Sequence, residues 1–256
     1  MALRVFNVLM LGFVLAPILL VVWMSFTPEA FFQPPLAHFS LRWYREALSY
    51  PDFVNAFVLS LKLAGLASLT TVALCFLAAY GLVRYRPRGA GLLLSFFTSP
   101  LVVPAVVFGI AMLQFVNRLG MYNRLVGLLL AHVVIVTPYA IRTLHATLSS
   151  VPEEMEWAAM GLGASRLRMM LFITLPLCAR GLVTAFLFCF LLSFSEVTMT
   201  IFMTGPAFQT VPIRIYNYLA DRIDPTVAAV SSMVIGVSLL PVLLLNQLGA
   251  FKRLPK

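Results

Sequence analysis

Apolar residues run through this chain in six long stretches separated by polar interruptions. About 20 apolar residues are needed to cross the hydrocarbon core of a bilayer. The stretches Val5–Phe26, Val54–Val83, Gly91–Val116, Val126–His145, Leu182–Met203 and Ala228–Leu248 meet that length. They predict an all-α membrane protein of six transmembrane helices, organised as one transmembrane domain over residues 1–256. The first stretch exceeds the ~7–15 residues of a signal-peptide core and no small-x-small cleavage pattern follows it, so it reads as a retained span. In the third stretch Pro100 and Pro104, four residues apart, remove two backbone donors from one face and predict a kink. That kink is either static or a pivot. Thr137-Pro138 in the fourth stretch is a feature of the same kind.

Three interruptions carry most of the polar residues. Residues 27–52 hold Pro28, Pro34 and Pro35 and then LRWYREAL, which predicts a short interfacial helix with Trp43 and Tyr44 at headgroup level. Residues 204–226 hold Gly205-Pro206, Pro212 and Asp224-Pro225 around a second short helix, RIYNYLADRI. Asn117, Arg118, Asn123 and Arg124 fit a tight turn. The loop 146–180 contains PEEMEWAAMGLGASRLRMMLFITLP, with Glu153, Glu154, Glu156, Arg166 and Arg168. Such a segment cannot lie in hydrocarbon, where its charges and loop backbone would go unsatisfied. Trp157, Met160, Leu167, Met170 and Leu171 supply apolar material for a partner's groove, and Gly161 and Gly163 divide two short helical pieces.

Composition agrees with a membrane protein. The chain is 61% hydrophobic and 11% charged with a mean hydropathy of +0.97, against about 25% charged for soluble domains. The net charge of +9 does not point to nucleic acid, because the basic residues sit in loops rather than on one soluble face. Lys and Arg there set orientation. With the N-terminus inside, eleven of the eighteen fall on the inner side (Arg4, Arg84, Arg86, Arg88, Arg142, Arg166, Arg168, Arg180, Lys252, Arg253, Lys256) and six on the outer (Arg42, Arg45, Arg118, Arg124, Arg214, Arg222), with Lys62 inside a span. Both termini and the 146–180 loop are then cytoplasmic. Cys75, Cys178 and Cys189 match no metal or disulfide spacing and read as small core residues. His38, His132 and His145 are scattered without ligand spacing, so no metal site is expected. No Ser/His/Asp or Cys/His set is present, which counts against a membrane enzyme.

The 146–180 loop resembles the cytoplasmic signature of ABC importer permease subunits: Glu-Ala-Ala, three residues, Gly, nine residues, then Ile-x-Leu-Pro. Here Ala158-Ala159, Gly163, Ile173, Leu175 and Pro176 stand at the matching offsets, with Ala164 following the glycine. Trp157 stands where the family usually has Glu, which leaves Glu154 or Glu156 as the candidate acidic contact. The runs SFSEVTMTIFMTGPAFQTVPIRIYNYL, LVVPAVVFGIAML and AAYGLVRYRPRG are similar to spermidine/putrescine-type permeases. The resemblance implies a type I ABC importer permease fold. It also implies a second permease subunit, two ATPase subunits docked on the loop, a periplasmic substrate-binding protein and surrounding lipid. ATP and Mg²⁺ would reside on the ATPases, since this chain has no G-x-x-x-x-G-K-[ST] phosphate loop.

Glu196 is the candidate pathway residue, because an ionisable side chain in a span is by default a functional-site hypothesis. Ser193, Glu196, Thr200 and Met203 share one face of a continuous helix at i, i+3, i+7 spacing, with Ser195 alongside. Hydroxyls flanking a carboxylate suit a passing amine. Lys62 lies at similar depth in the second span, so an ion pair between Lys62 and Glu196 is an open alternative, as is another structural role. Related permeases place two acids in tandem where this chain has Ser195-Glu196. Other amine-like cargo, an opine, an amino-acid derivative, thiamine or ferric iron therefore stays open. A secondary transporter commonly shows inverted repeats and broken spans, and no internal repeat is visible here.

Overall fold

The computed structural model describes residues 2–35, 38–122, 124–205 and 208–247. Asn123, Pro206, Leu248 and the tail bearing Lys252, Arg253 and Lys256 lie outside them. The described residues are helical, in chain order α1 Ala2–Met24, α2 Arg42–Ser49, α3 Pro51–Tyr85, α4 Ala90–Thr98, α5 Ala105–Arg118, α6 Leu125–Ser149, α7 Glu153–Gly161, α8 Arg166–Met169, α9 Leu175–Phe194, α10 Thr200–Met203, α11 Val211–Asp221 and α12 Thr226–Gln247. Four of the six expected spans are single helices, α1, α3, α6 and α12, within a few residues of the expected limits. At 1.5 Å per residue, the 35 residues of α3 reach about 50 Å, well beyond the hydrocarbon core. Charged residues at its last turn therefore stand clear of the lipid tails.

The third and fifth spans differ from the sequence expectation. Gly91–Val116 is not one helix. A 3₁₀ turn at Ser99–Leu101 separates α4 from α5, and the two are bent by 100°. Pro100 and Pro104 both fall in this break, and Pro104 sits in extended backbone at the entry to α5. Leu182–Met203 shifts toward the N-terminus, because a continuous apolar helical segment runs from Arg166 to Phe194. It passes through a π-helical turn at Met170–Thr174. Pro176 is tolerated at the start of α9 because the backbone bonding pattern is changing there. The helix ends at Phe194, where Ser195 Oγ folds back on the Leu191 carbonyl (2.8 Å). Short polar side chains compete for backbone groups in this way and favour helix ends.

The chain forms two compact units, with boundaries within α3, between α10 and α11, and within α12. The first comprises residues 1–60 and 209–239. Its core joins Ala47, Phe53 and Ala56 to Val211, Tyr218, Val227 and Val230. The two short loop helices appear as α2 and α11. Trp43 is buried, and its indole N–H donates to the Glu29 carbonyl at 3.1 Å. Tyr44 bonds to Ser25 (2.6 Å) and Ser232 (3.0 Å). Along α1 the most apolar stretch buries nothing, the surface expected of a helix facing lipid.

The second unit comprises residues 61–208 and 240–256. Its core packs α6 against α9 and the C-terminal half of α3, with Cys75, Cys178 and Cys189 all buried in it. The approach of α6 to α9 is close: a Cβ added at Gly181 would collide with the Thr147 side chain. Small residues permit this backbone proximity between membrane helices.

Candidate functional site

The 146–180 loop folds into α7, α8 and the π turn, all within the second unit. Gly163 ends the first piece. It adopts φ +89°, a left-handed conformation open to glycine at little cost. Its N–H donates to the Met160 carbonyl (3.0 Å), and the Ala164 N–H reaches back to Ala159 (3.1 Å). These two bonds form a Schellman cap. The signature glycine is thus a helix stop, and Ser165 restarts the chain by accepting from the Arg168 N–H.

On one side of α7, Ala158, Ala159, Ile173 and Pro176 line a shallow apolar groove of about 480 Å³ with Met155, Leu162, Phe172 and Leu177. Four of the spaced signature positions thus meet on one surface, although up to 18 residues apart in sequence. Leu175 turns inward against the core instead. On the other side, Arg84, Arg86, His145, Glu153, Glu154 and Trp157 contribute to a second groove of about 580 Å³. Trp157 is 60% exposed and Leu162 91% exposed.

The acids of α7 divide sharply. Glu154 is exposed and free to meet a partner. Glu153 pairs at the surface with Arg86 (2.7 Å). Glu156 is 3% exposed and faces inward. Arg84 grips it with two prongs, Nε to Oε2 at 3.1 Å and Nη2 to Oε1 at 3.0 Å. Thr174 donates to Oε1 (2.9 Å) and Tyr80 to Oε2 (3.3 Å). Arg84 also donates to the carbonyls of Leu148 (3.3 Å) and Val151 (3.1 Å). One buried ion pair therefore ties α7 to α3, to the end of α6 and to the π turn. Of the two acids expected to stand in for the missing signature glutamate, Glu154 alone keeps an accessible carboxylate.

The second group lies at the opposite end of α9. Glu196 is not within a helix, since α9 has ended and α10 begins at Thr200. Its carboxylate caps α10. Oε1 accepts from the Met199 N–H and Oε2 from the Thr200 N–H, both at 2.8 Å, and Oε2 also accepts from the Thr200 hydroxyl. Free N–H groups at a helix start favour such an anion. Lys62 is exposed, and among the described residues Glu196 has no ion pair. The alternative pairing with Lys62 is thus absent among the described residues, and the carboxylate is held by the start of α10 instead. Ser193 and Thr200 are buried and Ser195 is exposed, so the stripe of one continuous helix is replaced by a cluster around a break.

One member of that cluster was not singled out in the sequence. His132 of α6 is fully buried. Its Nδ1 lies 2.8 Å from Ser193 Oγ and its Nε2 3.1 Å from Thr200 Oγ1. Isolated histidines carry no spacing signal, and no local pattern pointed to it. Among the described residues no group of His, Cys, Asp or Glu could hold a metal ion.

Residues 71–252 match the family described as binding-protein-dependent transport system inner membrane component. The chain belongs to this family. The permease is 30% identical over 238 residues to the putrescine transport system permease protein PotI of Escherichia coli, covering 90% of this chain and 84% of that one. It is 28% identical to the spermidine/putrescine transport system permease protein PotC of Haemophilus influenzae, with 89% and 88% covered. Its identity to the sulfoquinovosyl glycerol transport system permease protein SmoH of Agrobacterium fabrum is 26%, with 89% and 85% covered. Among solved structures, a bacterial alginate ABC transporter in complex with an alginate pentasaccharide-bound periplasmic protein superposes with a TM-score of 0.73 at 15% identity, covering 97% and 93%. The permease therefore has the type I fold of ABC importer transmembrane subunits and is a multi-pass inner-membrane protein.

Proposed function

We propose that this permease forms half of the translocation pathway for a small amine-bearing solute of the putrescine or spermidine kind. The observation that carries the amine reading is Glu196, a carboxylate at a break between helices whose partners are neutral donors. Irregular backbone at membrane depth is tolerated where it is buried or lines a cavity, and discontinuous helices recur at transport sites. Two relatives named for putrescine or spermidine support the same cargo. SmoH and the alginate transporter act on other solutes on the same fold, so the cargo is argued from the site and not from the architecture.

In this reading the second permease subunit is a different chain, and a periplasmic binding protein delivers the cargo. The excess of Lys and Arg supports a cytoplasmic placement of both termini and of residues 146–180. Two ATPase subunits, which hold ATP and Mg²⁺, seat α7 in a cleft. The exposed Trp157 and Leu162 and the apolar groove beside them supply the docking surface. Motion of α7 reaches the spans through Arg84 and Glu156.

The test is uptake of a labelled diamine by proteoliposomes holding the full complex and its binding protein. Glu196→Gln is expected to lower uptake about tenfold or more, the cost of losing a charge-assisted contact to the ammonium. Undiminished uptake would remove Glu196 from the pathway.

A further inference from the structure

We propose that His132 is a positioning residue for the amine pathway, orienting Glu196 through the hydroxyl of Thr200. The inference rests on the reading of Glu196 just given and extends it to a residue on another helix. Both Glu196 oxygens accept from backbone N–H groups, and Oε2 also takes the Thr200 hydroxyl proton. A threonine hydroxyl has one proton to give and lone pairs to accept with. Having donated to Glu196, Thr200 Oγ1 serves as acceptor for the His132 Nε2–H at 3.1 Å. In a neutral ring Nδ1 then has no proton, and it accepts the Ser193 hydroxyl proton across 2.8 Å. Every donor and acceptor of the ring is used, and the bonds run in one direction from Ser193 to the carboxylate.

The arrangement fixes more than a histidine. Ser193 precedes the break after α9 and Thr200 follows it, so His132 holds the two lips of the break from a third helix. From another side α5 closes in: a Cβ added at Gly109 would stand 2.7 Å from the Phe202 ring and 3.1 Å from Met199 Cα. With Thr200 clamped, its hydroxyl cannot turn away, and the carboxylate keeps its remaining lone pairs aimed out of the network. Without the Nε2–H donor, the hydroxyl is free to rotate and the carboxylate loses one of three anchors.

The readout is amine imported per ATP hydrolysed by the reconstituted complex. A merely structural defect lowers assembly without changing that ratio in the complexes that do form. His132→Leu is expected to reduce the ratio about tenfold, His132→Gln to restore most of it through its side-chain N–H, and Thr200→Val to match His132→Leu. A wild-type ratio in either His132→Leu or Thr200→Val overturns the proposal, and the near-isosteric Thr200→Val decides it where His132→Leu fails to assemble. Glu196→Gln separates the two levels. If it leaves the ratio unchanged, the pathway reading itself falls. If it lowers the ratio while the His132 and Thr200 variants do not, the positioning role alone is lost.

Discussion

Removing the Glu156 carboxylate leaves the Arg84 guanidinium buried with two carbonyl acceptors and no counter-charge. In the intact pair the side chains are 8% and 5% exposed, so water cannot replace the lost partner. Glu156→Ala also removes the acceptor that Thr174 and Tyr80 donate to. Breaking a buried pair from one side costs about 3–5 kcal/mol. At about 2–4 °C per kcal/mol for a chain of this size, the midpoint of thermal unfolding in detergent is expected to fall on the order of 10 °C. Glu153→Ala is the internal control, because its partner Arg86 is 76% exposed and such surface pairs contribute about 0–1 kcal/mol. The charge swap Arg84→Glu with Glu156→Arg is not expected to rescue the loss, since a carboxylate at position 84 cannot donate to the Leu148 and Val151 carbonyls. The measurement is fluorescence-detected melting of the purified complex. If Glu156→Ala shifts the midpoint no more than Glu153→Ala does, the pair does not anchor α7.

Substitutions at three glycines and one titration extend the same reasoning. Gly163→Ala forces a Cβ into left-handed backbone at a cost of about 1–2 kcal/mol. Gly163→Pro also deletes the N–H that closes the cap on Met160, and is expected to abolish cargo-stimulated ATP hydrolysis while pull-down still recovers the ATPases. Gly181→Val would drive α9 away from Thr147, and overpacking of this kind costs about 1–3 kcal/mol. It is expected to lower the melting midpoint, where Gly236→Val, with open space around its Cβ, does not. Burial first, and then its hydrogen bond to Asp224, raise the Tyr218 phenol above its usual value of 10. An acid so raised stabilises the fold fully below pH 10 and loses that contribution as the pH climbs through the folded value. Absorbance titration of phenolate is expected to show a late-ionising component in wild type that shrinks by one tyrosine in Tyr218→Phe.

The spans that were plain in the sequence are those in which apolar composition and helical backbone end together, as in α3 and α6. Breaks hidden inside apolar runs were harder to read. Pro100 and Pro104 announced a kink but not a 100° turn between α4 and α5, because proline forbids a bond without saying where the freed chain goes. The Ser195–Met199 break had no glycine or proline to mark it. Its signal was the clustering of Ser193, Ser195, Glu196 and Thr200, of which a helical wheel absorbs all but Ser195 as one face. The spacing did place Ser193, Glu196 and Thr200 near one another, although the structure gathers them around His132 rather than along a helix. Glu156 illustrates a further limit: nothing in EEMEW separates a carboxylate gripped by Arg84 from one offered to solvent, and the difference depends on α3, some 70 residues earlier in the sequence.

The π turn at Met170–Thr174 has one residue more than an α-helical turn needs. Each residue of an α-helix advances about 100° around its axis, so this extra residue acts as a phase shift between the loop and α9. It sets the rotation at which Thr174 faces Glu156 while Cys178 and Ala185 still face the core. Deleting a single residue here would leave composition and hydropathy almost unchanged. It would nonetheless turn everything before it by roughly a quarter of a revolution relative to the span. The permease thus depends at this point on residue number as strictly as on residue type.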